Sequence, residues 1–146
     1  MLAEHKKGMA SLYSNYYQKF ADYPYWKDLA QKKQTQYTLI QTVYFDSKNK
    51  DIYFDQTIFR SAAIKTSLEW VNRLVAEYIK HSLINALSYA LDIEQARIEQ
   101  KYFDIFRSKS PEIDKMAPQL AQESRDNIEL LRLELEKIKQ MPIPPI

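Results

Sequence analysis

The chain has 146 residues, 45% hydrophobic and 27% charged, with a net charge of +2, one glycine and no cysteine. Acids and bases are mixed throughout, which is no footprint for nucleic acid, and the lack of cysteine excludes disulfides, thiolate metal sites and a cysteine nucleophile. No stretch approaches the roughly 20 apolar residues of a membrane span and "MLAEHKKGMAS" lacks the apolar run of a signal peptide, so a cytoplasmic protein with no membrane partner is expected. A single glycine argues against turn-rich β architecture and for helices. The length suits one helical domain over 1–140, followed by the proline-rich tail "MPIPPI" at 141–146.

In chain order, a first helix is predicted over 2–22. Its face is Leu2, Lys6, Met9, Tyr13, Tyr16 and Phe20, spaced alternately by four and three. Pro24 breaks it by pushing Tyr23 out of the helical region. The second helix, 25–45, carries Leu29, Lys33, Gln36, Ile40 and Val43. A polar stretch follows, with an extended piece at 52–54. After it comes a shorter helix in "SLEWVNRLVAEYIKHS", capped by Thr66 or Ser67. The third long helix, 82–108, bears Leu87, Leu91, Glu94, Ile98, Tyr102 and Ile105. Ser110 and Pro111 suit the start of a fourth, running to about residue 140. Pro118 kinks or restarts it, and its face is Leu120, Ser124, Asn127, Leu131, Leu135 and Ile138. Four long helices with a long link between the second and third give the connectivity of an all-α, ferritin-like four-helix bundle, with a short extra helix in the crossover.

Every long helix carries polar residues on its apolar stripe: Lys6, then Lys33 with Gln36, then Glu94, then Ser124 with Asn127. One such residue would be read as a side chain snorkelling to the rim. The alternation single, pair, single, pair is instead the layout of a dinuclear carboxylate site. There, two helices each give a Glu and the other two each give a Glu-x-x-His pair on one face.

Three segments carry a resemblance: "GMASLYSNYYQKFADYPYWKDLAQKKQTQY", "ALSYALDIEQARIEQKYFDIF" and "LAQESRDNIELLRLEL". With their aromatic and Leu-Ala spacing, they make the chain resemble the rubrerythrin-like branch of the ferritin-like superfamily over nearly its whole length. The resemblance implies a dimetal scaffold, but its ligands do not carry over. The family's first Glu falls on Lys6, and its Glu-x-x-His pairs fall on Lys33 with Gln36 and on Ser124 with Asn127. Only Glu94 matches. An ammonium has no lone pair for a metal, so no metal or other cofactor is expected. Lys6 or Lys33 then supplies the positive charge, with Glu94 as counter-ion.

The expected function is non-catalytic: binding, assembly or regulation, as a homodimer. One alternative is a di-iron oxidoreductase handling peroxide or iron at a displaced site built from Glu4, Glu94 and Glu123. Another is a small-molecule binder that uses the former metal cavity. His5, Glu99 and Asp126 also lie near the layer but are expected to be solvated, with Glu4 and His5 on no stripe that also holds Met9, Tyr13 and Tyr16. His81 is expected as a cap or surface residue. Tyr13, Tyr16 and Tyr102 are expected to ring the layer. Two poorly placed histidines give no Ser-His-Asp triad, and one glycine cannot build a phosphate loop.

Overall fold

The computed structural model describes residues 2–47, 53–54, 61–96, 99, 106–107 and 115–141. Five α-helices dominate them: α1 Leu2–Lys19, α2 Tyr25–Ser47, α3 Ser61–Glu77, α4 Leu83–Gln95 and α5 Met116–Lys139. A 3-10 turn, Tyr78–Lys80, separates α3 from α4. Two-residue strands, β1 Tyr53–Phe54 and β2 Phe106–Arg107, pair antiparallel with Tyr53 opposite Arg107. Among the described residues no helix is long and apolar enough to cross a membrane.

The predicted stripes are the buried faces. Leu2, Lys6, Met9, Tyr13 and Tyr16 are buried on α1, and Leu29, Lys33, Gln36 and Ile40 on α2. The α4 stripe buries Leu87 and Glu94, and the α5 stripe buries Ser124, Asn127, Leu131 and Leu135. The side chains of Val43, Ile98, Tyr102 and Ile105 lie outside the described residues. One cluster joins all five helices through Met9, Trp26, Val71, Leu87 and Leu131, with Trp26 stacked obliquely on Tyr13 and Tyr16 at 5.8 and 4.9 Å. Full burial of each such side chain stabilises by about 1.5–3 kcal/mol.

Boundaries differ from expectation where local chemistry competes with the stripe. α1 stops at Lys19 rather than 22, because the chain already turns through a Tyr23 N–H to Phe20 carbonyl bond of 3.0 Å. Lys19 then donates to the carbonyls of Ile79, at 2.5 Å, and of His81, which ties the α1 end to the 3-10 turn. α3 begins at Ser61, so Thr66 and Ser67 are interior residues and not caps; Thr66 Oγ1 donates back to the Ala62 carbonyl. At 17 residues α3 is no short extra helix, and α4 with 13 is the shorter. The third predicted helix does not reach 108. Ala96 turns extended (φ −64°, ψ 146°) and its N–H bonds the Ile93 carbonyl, which ends α4. α5 starts at Met116 with Lys115 as its N-cap residue, and Pro118 falls in its first turn, where a missing N–H is harmless. Ser110, Pro111 and the tail 142–146 lie outside the described residues.

The single glycine has a packing role. A Cβ on Gly8 would meet Val71 Cγ1 at 3.1 Å. Gly8 therefore lets α1 and α3 approach closely, and this sets the distance between His5 and Ser67.

Candidate functional site: a buried ion-pair layer

All six polar stripe residues are buried, together with His5 and Glu99. Lys33 Nζ donates to Glu94 Oε2 at 2.9 Å and to Glu99 Oε2 at 2.8 Å. Lys6 Nζ reaches both oxygens of Glu99 at 2.5 Å. Tyr13 Oη donates to the remaining oxygen of Glu94 at 3.1 Å. Two ammoniums and two carboxylates thus form one chain, Lys6–Glu99–Lys33–Glu94, that balances in charge and is closed by a tyrosine. Three of its charges come from α1, α2 and α4; the fourth, Glu99, follows the α4 break, where its N–H bonds the Ala96 carbonyl at 3.0 Å.

The two lysines differ because their surroundings differ. Burial pulls Lys6 down; Glu99 and, more weakly, Glu94 oppose this while Lys33 repels it, so Lys6 settles at about 8 against an ordinary 10.5. Burial pulls on Lys33 too, but Glu94 and Glu99 together outweigh it and hold Lys33 above its ordinary value. Glu99 is opposed by burial but is held well below the usual carboxylate range by Lys33 and then Lys6. Tyr13 is pushed up by burial and by Glu94, so it stays a neutral donor.

Lys32 on α2 donates to Asn127 Oδ1 on α5 at 3.2 Å, one residue from Lys33. Gln36 Oε1, Ser124 Oγ and Asn127 Nδ2 are buried polar atoms with no hydrogen-bond partner among the described residues, and His5 Nδ1 is another. At the other end of the core Tyr16 Oη and His81 Nδ1 lie 2.7 Å apart, and the His81 ring packs on Tyr89 at 4.8 Å. His81 sits at a helix junction as the C-cap residue of the 3-10 turn, its N–H bonding the Tyr78 carbonyl, which is one of the two places expected for it; it is buried and not a surface residue.

No protein-family model, curated protein or solved structure matches the chain. The site is therefore read from its own residues. The expected pairing of a lysine with Glu94 is present through Lys33, whereas Lys6 pairs with Glu99. Glu99 and His5 are corrections, since both are buried where solvated charges were expected. The α4 break at Ala96 carries Glu99 off the helical phase that would have pointed it outward. His5 does share a stripe: with Met9, Leu12 and Tyr16 it follows the spacing four, three, four, and all are buried. Glu4 and Asp126 are exposed and Glu123 is half-buried. Among the described residues no group of three His, Asp or Glu gathers so as to hold a metal, the set Glu4, Glu94 and Glu123 included.

Proposed function

We propose that the chain is a ferritin-like bundle of the rubrerythrin type in which an ion-pair network stands where the dimetal centre would be. Its polar layer then works in binding, in assembly as a homodimer or in regulation, and not in metal chemistry. The observation that carries this reading is the Lys6–Glu99–Lys33–Glu94 chain. Dimetal chemistry needs several anionic oxygens and neutral imidazoles converging on the cations. Here each carboxylate already accepts from an ammonium, and the lysines offer hydrogens rather than lone pairs. The residues present do not fit a pair of divalent cations. The unpartnered atoms of Gln36, Ser124 and Asn127 favour a second reading, in which the layer also bonds a small polar molecule.

Native mass spectrometry and elemental analysis of protein purified after growth with iron, manganese and zinc test both. The expected result is less than a stoichiometric amount of any metal, in a monomer or dimer whose mass per chain is that of the bare chain or of the chain plus one small organic adduct. Two metals per chain at full occupancy would overturn the proposal.

A further inference from the structure

Ser67, at the middle of α3, is not used by the ion-pair chain. His5 Nε2 lies 2.8 Å from Ser67 Oγ. The other ring nitrogen, Nδ1, faces Glu99 Oε1 at 3.5 Å. His5 and Glu99 are buried, while Ser67 is half-buried and lines an open pocket of about 530 Å³. Ala62, Ala63, Thr66, Trp70 and Ala96 form the rest of that pocket, so its walls are mostly apolar. A hydroxyl is thus bonded to an imidazole, the imidazole is faced from behind by a carboxylate, and the serine lines an apolar pocket. This is the arrangement by which a base activates a nucleophile, and it is recognised by geometry rather than by order in the chain.

We propose that Ser67 is a nucleophile activated by His5, with Glu99 positioning the ring, and that it takes acyl groups from esters whose apolar acyl chain fits against Trp70 and the three alanines. This goes beyond the reading of the ion-pair layer and stands whether or not the scaffold is ferritin-like.

The chemistry is acyl transfer. Ser67 Oγ attacks the ester carbonyl and its proton passes to His5 Nε2. The carbonyl carbon's bond to the leaving oxygen breaks, and that oxygen takes the proton from His5. Water then attacks the acyl-serine, loses a proton to His5, and frees the acid as Ser67 recovers its own. No oxidant or metal enters the balance.

Two features set how well the serine works. Lys6 and Lys33 keep Glu99 ionised, and its charge 3.5 Å from Nδ1 favours the tautomer with the proton on that nitrogen, which leaves the Nε2 lone pair toward Ser67. The backbone N–H of Ser67 is spent in the α3 ladder and cannot serve an oxyanion. Acylation should therefore be confined to esters with good leaving groups, and the acyl-enzyme should accumulate.

The experiment uses the full chain and p-nitrophenyl butyrate. Expected is a burst of about one p-nitrophenolate per chain, with the butyryl group found on the Ser67 peptide by mass spectrometry. Ser67→Ala should lose the burst. His5→Gln should slow acylation about 100-fold, the scale of a lost general base. Glu99→Gln should lower the acylation rate constant and leave its dependence on ester concentration unchanged, because the ring loses the carboxylate that faces it while the pocket is untouched. Far-UV circular dichroism checks that each variant folds, and the location of the label in the unmutated chain decides even where one does not. A wild-type chain that is unlabelled, or labelled on a lysine, overturns the proposal. So does an unchanged burst in folded Ser67→Ala or an unchanged rate in folded His5→Gln.

Discussion

Replacing Glu99 with Ala should cost about 3–5 kcal/mol of stability at pH 7, more than any other single change in the polar layer. Glu99 is the shared carboxylate, and without it Lys6 loses both bonds and Lys33 loses one. Of the two carboxylates in the described network, Glu94 would then be the one left to the two buried ammoniums. Lys6 has an escape, which is to lose its proton. From an ordinary value of 10.5, neutralising a lysine at pH 7 costs about 1.36 kcal/mol per unit, or roughly 5 kcal/mol, and this caps the penalty. The cap supplies a second readout. A folded Lys6 below 10.5 binds fewer protons than the unfolded chain, so stability rises with pH between the folded and the unfolded values. In the wild type that rise starts only near 8, where Lys6 titrates. In Glu99→Ala it starts lower, so the gap from wild type should shrink from pH 7 to pH 8. Urea melts at the two pH values measure this. A gap that does not change with pH would mean that the loss is a cavity effect and not a buried charge.

Glu94→Ala should be next in size, at about 3 kcal/mol. It removes one of the two carboxylates on Lys33 and leaves the buried Tyr13 hydroxyl without its acceptor. Lys33 keeps Glu99, so the loss falls at the lower end of the range for a broken buried pair, together with the cost of an unsatisfied donor. Glu94→Gln keeps an acceptor for Tyr13 and the same shape, and it should cost less than Ala. Urea midpoints of the two variants check the order. Equal midpoints for Glu94→Ala and wild type would mean that Glu94 carries no charge interaction in the folded chain.

Much of this layer is legible in the sequence, because an apolar stripe has a fixed period and a polar residue on it has nowhere else to point. That logic places Lys6, Lys33, Gln36, Glu94, Ser124 and Asn127 in the interior, where all six are found. It fails at Glu99 for a physical reason. The stripe continues in the sequence through Ile98 and Tyr102, but the helix ends at Gln95 with no glycine or proline to signal the end. Beyond that point the phase no longer applies, and Glu99 turns inward. His5 was legible in principle through its spacing to Met9, Leu12 and Tyr16, but the neighbouring stripe through Lys6 and Tyr13 hid it. Ser67 carries no sequence signal at all, since its hydroxyl acquires meaning only because Gly8 lets α1 lie close to α3.

The claim that charge pairing has taken the place of metal is tested most directly by a double-mutant cycle on Lys6 and Glu99. Urea melts would be run on Lys6→Met, Glu99→Leu and the two combined. Each single change unbalances charge in the core: Lys6→Met leaves Lys33 as the one ammonium bonded to Glu99 among the described residues, and Glu99→Leu removes the carboxylate that both lysines share. The double mutant restores balance, with Lys33 and Glu94 as one neutral pair beside an apolar seam. The predicted result is a double mutant clearly more stable than Glu99→Leu, with a coupling of about 2 kcal/mol or more. Losses that simply add would contradict the account, because Lys6 and Glu99 would then not hold each other inside the fold.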